Sequence, residues 1–256
     1  MRMRETVQKH FDKLAANYDR YSEKRLNFLG REEELVSETL LSEKKDEMLV
    51  LDAGCGSGSR GINIKHRINN CRLYGYDLSP NMVALAGQKE YETVEQGTLD
   101  NPPFRGTKFD AVLCLFSVFS YLSSDAERKQ AVAGFAEALK EQGLLCIDVT
   151  NRWHTGEGET FHKSRAKIFK ELLLSRIKRN LEYGDVLFEA AVEGESIPGF
   201  FHTMTDAEFR KLFQENFDIE HRHTIGYDSG QLTNDPSKGN FLYICRKKDK
   251  VARQNT

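Results

Sequence analysis

One short stretch of the chain combines residues suited to cofactor binding. Residues 49–61 have the sequence LVLDAGCGSGSRG, in which an apolar run ends at Asp52 and glycine follows at 54, 56, 58 and 61. Glycine lacks a Cβ, so a ligand can approach the main chain closely, and the helix expected next offers unpaired N–H groups to a negative group. We therefore expect a cofactor at this loop.

Two cofactor classes fit the spacing. Residues 56–61 match G-x-G-x-x-G, and Asp77 lies about twenty residues further on, where a nicotinamide site has its ribose-binding acid. Against a dinucleotide stands Asp52, because a second negative charge beside a pyrophosphate is unfavourable. A cationic ligand would explain that carboxylate.

The surrounding pattern predicts the elements that position this loop. From Met48 onward, the apolar runs MLVLDA, CRLYGYD, FDAVLCLF and GLLCIDV alternate with helical stretches, which predicts a parallel sheet with crossover helices. Ser79 and Pro80 predict one helix start, and Ser123 or Ser124 another, for a helix that stops before Gly143. Residues 163–181 are predicted as a helix, VLFEAAV as a strand, and FDIEHRHTIGY and NFLYICRK as an antiparallel pair.

Several of these segments together resemble a known family. LDAGCGSG, YGYDLSPNMVALA, VEQGTLDNPPF, FDAVLCLFSVFSYL and EALKEQGLLCIDV are similar, in order and spacing, to the motifs of class I S-adenosylmethionine-dependent methyltransferases. The likeness is strong over 48–150 and looser over 9–40 and 200–247. It implies an α/β fold with a doubly wound, mostly parallel seven-stranded sheet and an antiparallel C-terminal strand pair.

The same resemblance implies how one domain, 1–256, is organised. A helical lid would cover 1–45, the cofactor-binding core 46–150, an α/β insertion capping the active site 151–203, a C-terminal helix and strand pair 204–248, and a flexible tail 249–256.

The resemblance also implies the cofactor, S-adenosylmethionine, and the residues that would bind it. Gly54, Gly56 and the adjoining Ala53 would hold the methionine portion, Asp52 would lie near its ammonium group through water, and Asp77 would accept both ribose hydroxyls. The expected set is completed by Leu78 and Met82 at the adenine, Leu99 with a backbone contact to it, Leu115 and Phe116 along the floor, and Tyr18 in the lid. Many relatives have an acid directly after the glycine of the third motif. Here Thr98 follows Gly97, so either Thr98 or Asp100 would meet the adenine amino group.

Methyl transfer from a sulfonium needs mainly alignment and exclusion of water, so a catalytic base is optional. Tyr121, His154 and His202 are the candidates for contact with the acceptor, and Trp153, Phe200 and Phe201 for its pocket. His221 and His223 alternate on one strand without a nearby acid or thiol at ligand spacing, so no metal is expected.

Composition narrows the choice of location and acceptor. The formal net charge is -2, five cysteines lack metal-type spacing, and no apolar run is long enough to span a bilayer, so we expect a cytoplasmic protein without membrane contact, as a monomer or homodimer. A small molecule methylated on oxygen or nitrogen is the favoured acceptor. The basic stretch 163–179 keeps a tRNA nucleoside open. A non-catalytic S-adenosylmethionine-binding protein and a nicotinamide oxidoreductase also stay open.

Overall fold

The computed structural model of the protein describes residues 3–68, 70–157, 165–179, 181–192 and 195–249. The helices are α1 Met3–Leu14, α2 Tyr18–Ser22, α3 Leu26–Ser42, α4 Ser59–Arg67, α5 Pro80–Ala86, α6 Asp125–Ala138, α7 Arg165–Arg179 and α8 Asp206–Phe213. The strands are β1 Met48–Ala53, β2 Cys71–Asp77, β3 Thr93–Gln96, β4 Phe109–Cys114, β5 Leu139–Val149, β6 Asp185–Val192, β7 Glu195–His202, β8 Phe217–Ile225 and β9 Asn240–Lys247.

Seven strands form the central sheet, in the order β3-β2-β1-β4-β5-β9-β8. Strands β1 to β5 pair in parallel, whereas β9 runs antiparallel to both β5 and β8. Every residue of β4 is buried, as expected for a strand with helices on both faces. The predicted doubly wound, mostly parallel seven-stranded sheet with an antiparallel C-terminal pair is confirmed.

Local signals account for the starts of α5, α6 and α8. The Ser79 hydroxyl accepts the Met82 N–H, the Ser124 hydroxyl accepts the Glu127 N–H, and Thr205 forms a capping box with Glu208. The predicted extension of α6 to the residue before Gly143 is wrong. The helix ends at Ala138, and β5 begins at Leu139, which pairs with Phe109 through an irregular register.

The cover over the carboxyl ends of the strands comes from α1, α2 and the segment between β5 and α8. That segment contains α7 and a separate two-stranded antiparallel sheet of β6 and β7. Helix α3 instead packs against the sheet, where Val36 and Leu40 join the buried cluster that contains Val50. Strand β7 was not predicted, because Pro198 and Gly199 in its middle are disfavoured in strands.

No helix in the described ranges is long and apolar enough to cross a membrane. The predicted tail lies outside these ranges apart from Asp249, as does Lys163 of the basic stretch.

Candidate active site

A cavity of about 790 Å³ lies at the carboxyl ends of β1, β2, β4 and β5, beneath the cover. This is where an open α/β sheet binds its ligands. Of the predicted site residues, those that line it are Tyr18, Gly54, Gly56, Asp77, Leu78, Thr98, Leu99, Asp100, Phe116, Tyr121, His154 and Phe201.

Asp77 is held in place by main-chain donors. Its Oδ2 accepts the Gly56 N–H at 2.9 Å and its Oδ1 accepts the Ser79 N–H at 2.9 Å. Each carboxylate oxygen keeps a further lone pair for a ligand. Burial raises the pKa of Asp77 to about 6, although the two N–H groups act in the opposite direction.

The glycines of the loop serve two different purposes. Gly54 and Gly56 adopt φ values of +80° and +55° and line the cavity, as expected for a backbone that a ligand approaches. By contrast, a Cβ at Gly58 or Gly61 would lie 2.9 Å or 2.2 Å from Tyr91. Two of the three glycines of the G-x-G-x-x-G match are therefore explained by the packing of the partly buried Tyr91 ring, and this weakens the nicotinamide interpretation.

Tyr91, which the sequence did not single out, also binds Asp52. Its hydroxyl donates to Asp52 Oδ2 at 2.7 Å. Asp52 lines a small adjoining cavity beneath the glycine loop rather than the main cavity, together with Arg60 and Leu115. Burial raises the pKa of Asp52 to about 6, and the Tyr91 hydrogen bond opposes that rise.

A salt-bridge network closes the end of the cavity beside Leu99. Arg4 of α1 contacts Asp100 Oδ2 at 2.6 Å and Glu127 Oε1 at 2.7 Å. The other oxygen of Asp100, Oδ1, is buried and has no hydrogen-bond partner among the described residues. A donor from a ligand would satisfy it. Thr98 lines the cavity close by.

The turn after β4, which forms the floor of the cavity, has a strained backbone that is held in place by a buried carboxylate. Phe116 and Ser117 have φ values of +63° and +61°, a conformation that costs a non-glycine residue about 1–2 kcal/mol. Asp148, fully buried at the end of β5, accepts the Ser117 N–H at 2.6 Å and its hydroxyl at 3.0 Å. Backbone strain that is maintained by surrounding hydrogen bonds is typical of functional sites.

The far end of the cavity carries phenol and imidazole groups. Burial, followed by the phenols of Tyr18, Tyr227 and Tyr21, raises the pKa of Tyr121, so its hydroxyl stays neutral. Burial lowers the pKa of His154, whose Nε2 has no hydrogen-bond partner in the described ranges.

His10 of α1 was not predicted as a site residue, yet it also lines this cavity. Burial lowers its pKa, and its Nδ1 is likewise without a partner among the residues described. Both cavity histidines are therefore neutral at pH 7.

Several predicted residues lie elsewhere. Ala53 and Met82 are buried in β1 and α5, Leu115 lines only the small cavity, and Trp153 and Phe200 do not line the main one. His202 points away into a buried pair, with its Nδ1 2.7 Å from Asp185 Oδ1. We therefore do not retain His202 as an acceptor contact. Phe201, by contrast, lines the cavity.

A metal site is not evident in the described ranges, where no group of three histidine, cysteine or acidic residues could hold an ion. All five cysteines are free and buried.

The sheet order, the Asp77 site and the glycine turn define the class I methyltransferase fold. A methyltransferase-domain family model matches residues 50–143. The magnesium-protoporphyrin O-methyltransferase of Synechocystis sp. is 30% identical over 174 residues, which cover 61% of this chain and 69% of that protein. The chain belongs to the S-adenosylmethionine-dependent methyltransferase family.

Two further likenesses concern sugar-modifying enzymes. A dTDP-3-amino-3,4,6-trideoxy-α-D-glucopyranose N,N-dimethyltransferase from Streptomyces venezuelae is 30% identical over 48% of this chain and 54% of its own length. The solved structure of an S-adenosylmethionine-bound amino pentose methyltransferase from Micromonospora echinaspora has a TM-score of 0.60, with 18% identity over 90% of this chain and 96% of that one. The chain spans about half the length of most of the curated relatives it matches.

Proposed function

We propose that the protein transfers the methyl group of S-adenosylmethionine to an oxygen or nitrogen of a small molecule bound in the main cavity. The observation that carries this proposal is the placement of Asp77, Gly54 and Gly56 on one wall of a covered cavity that extends to Tyr121 and His154. A volume of about 790 Å³ lies in the upper part of the range of about 300–1,000 Å³ usual for ligand sites, which suits a cofactor and a small acceptor together.

The residues of the wall fit the cofactor. The free lone pairs of Asp77 suit a ribose diol, and the unpartnered Asp100 Oδ1 suits the adenine amino group better than does the neutral Thr98. Leu78 and Leu99 supply apolar contact for the ring, and Gly54 leaves room for the methionine portion. When bound, the cofactor supplies an activated methyl group. The carboxylates of Asp52 and Asp148 beneath the floor favour its positive charge.

The remaining side chains position the acceptor and exclude water. Tyr18 lies between cofactor and acceptor ends, with its ring 6.3 Å from Phe11 and 6.5 Å from Phe116. His154 is neutral and can accept a proton at Nε2 from an acceptor that must lose one.

Charge and enclosure favour a small molecule over tRNA. Among the described residues, the arginines and lysines that line the cavity are Arg4 and Arg25, and both are engaged with carboxylates, the second with Asp228 at 3.0 Å. They are therefore occupied rather than available for phosphates. The amino-sugar and porphyrin enzymes among the relatives also act on small molecules by their names.

Calorimetry with S-adenosylhomocysteine and with NADH tests the proposal. We expect micromolar binding of the first, no binding of the second, and a loss of roughly 2–4 kcal/mol in Asp77→Ala from the broken charge-assisted hydrogen bonds. Glu195→Gln is the matched control, because Glu195 is exposed and lies on β7. NADH binding, or S-adenosylhomocysteine binding that is insensitive to Asp77→Ala, would overturn the proposal. Binding without turnover across an acceptor panel would favour a non-catalytic role.

A further inference from the structure

We infer that the acceptor is an amine, which the cavity recognises in its cationic form. This inference rests on the proposed methyl transfer and narrows it from oxygen or nitrogen to nitrogen. Three features carry it: a group of four tyrosines, an excess of carboxylates, and the absence of an available cation among the described lining residues.

The tyrosines come from different parts of the chain and meet at one end of the cavity. Tyr18 and Tyr21 lie on α2, Tyr121 follows β4, and Tyr227 follows β8. The Tyr121 ring packs edge-on against Phe11, with 4.9 Å between centroids. A phenol ring offers a π face and a hydroxyl, the pair of features with which proteins bind ammonium groups. The face of Tyr227 already holds a cation, because the Arg25 guanidinium lies 4.3 Å from its ring centroid, which leaves the other three rings for a ligand.

Charge around the cavity favours the same ligand. Asp77, Asp100, Glu127 and Asp228 line it, against Arg4 and Arg25, so two negative charges are left over. The cofactor carries two cationic groups and one carboxylate, and so neutralises one of these charges. A cationic acceptor neutralises the other, whereas an acceptor carrying a carboxylate or phosphate would add to the imbalance.

The two cavity histidines do not offset this balance. His10 and His154 are both neutral at pH 7, because burial lowers their pKa. An ammonium nitrogen has no lone pair, so a proton must pass from it to a base such as His154 Nε2. The nitrogen then bonds to the methyl carbon while the carbon–sulfur bond breaks and its electron pair remains on sulfur.

Three probes of nearly equal shape separate charge from fit. Choline is cationic, 3,3-dimethylbutan-1-ol is its neutral isostere, and 3,3-dimethylbutyrate is a similar anion. Each is titrated calorimetrically into the protein saturated with S-adenosylhomocysteine. We expect choline to bind about tenfold more tightly than the alcohol, with the butyrate weakest, since a cation over each aromatic ring gains roughly 2- to 30-fold. Equal or tighter binding of the alcohol, or no binding of choline, overturns the inference.

Substitutions of Tyr121 test whether the tyrosine rings cause the preference for choline over the neutral alcohol. Tyr121→Phe keeps the ring and should keep most of the choline preference, whereas Tyr121→Leu should reduce it about fivefold. Tyr183→Leu is the matched control, because Tyr183 packs against Arg152 and Phe169 and does not line the cavity. An unchanged choline preference in Tyr121→Leu would contradict the assignment of this ring.

The two proposals fail in distinguishable ways. If the methyltransferase proposal is wrong, the wild-type protein will not bind S-adenosylhomocysteine. Failure of the amine inference alone would leave that binding and its dependence on Asp77 intact, while the three probes would show no preference for the cation.

Discussion

The two ends of the cavity differ in how the chain builds them. At the cofactor end, the turn after β1, the end of β2 and the residues after β3 contribute Gly54, Gly56, Asp77 and Thr98 from one continuous segment, and main-chain N–H groups fix the key carboxylate. At the acceptor end, the side chains come from α1, α2, the turn after β4, the segment after β5, and the β6–β7 hairpin. The shape of the cofactor end is therefore determined by backbone geometry, and the shape of the acceptor end by the packing of elements that are distant in sequence.

Because of this difference, substitutions should be tolerated less at the cofactor end than at the acceptor end. The cofactor end cannot change without altering the turn between β1 and α4. The acceptor end can exchange side chains on a cover that the sheet does not need, which is how one fold serves many substrates.

The largest effect should follow from placing a side chain on the backbone of the cofactor end. In Gly54→Ala, the new Cβ would lie 2.3 Å from Val118 Cγ1 on a residue with φ +80°. The strain and the clash should together weaken S-adenosylhomocysteine binding about 100-fold in calorimetry. Gly30→Ala is the control, because nothing lies within 4 Å of its Cβ on α3; it should raise the free energy of unfolding by about 0.5–1 kcal/mol and leave binding unchanged. Equal affinity in Gly54→Ala and the wild type would contradict close contact at this turn.

A second test uses the titration of Asp77, whose pKa is raised to about 6. Ribose hydroxyls prefer the ionised carboxylate, so the affinity for S-adenosylhomocysteine should be flat above pH 6 and fall about tenfold per pH unit below it. Asp77→Asn should bind weakly and with little pH dependence over the same range.

The same carboxylate has the opposite influence on the free protein. Its folded-state pKa lies above the ordinary value of 3.8, so its contribution to the free energy of unfolding is present at low pH and is lost as pH rises from about 4 to 6. Denaturant unfolding of the wild type minus that of Asp77→Asn should show this decline. A pH-independent difference would mean that Asp77 titrates as it does in the unfolded chain.

A smaller effect should follow from releasing α1 from the cofactor end, where Arg4 pairs with Asp100 and Glu127. Arg4 is 41% exposed, so its two salt bridges are partly screened, and Arg4→Met should weaken S-adenosylhomocysteine binding only about fivefold. Lys13→Met on the same helix breaks an exposed pair with Glu195 and should have no measurable effect in the same titration. Equal losses in both variants would argue for a general effect of charge rather than a specific contact at Asp100.

The sequence could predict the cofactor end because its signals are local. Alternating apolar runs fix the strands. Asp77 is the last residue of β2 and Gly54 directly follows β1, so their meeting at one sheet edge follows from parallel pairing. The role of Tyr91 could not be predicted in this way, since the glycines that accommodate it resemble a phosphate loop.

The acceptor end could be predicted only in part. Tyr121 and His154 follow β4 and β5, which placed them near the site. His10 and Tyr227 reach the cavity only through packing of distant segments, for which a single sequence carries no signal. The same limit explains His202, since a histidine before a helix gives no indication that a buried Asp185 will bind it.

The smallest effect on binding should come from that pair, which lies in the cover but outside the cavity. His202→Leu would leave the buried Asp185 carboxylate without its 2.7 Å partner, and should lower the free energy of unfolding by about 1–3 kcal/mol. Binding of S-adenosylhomocysteine, measured well below the unfolding temperature, should remain within twofold of the wild type, because neither His202 nor Asp185 lines the cavity. A large loss of affinity in a folded variant would show that the cover transmits its packing to the cofactor end, and the two ends would then not be independent.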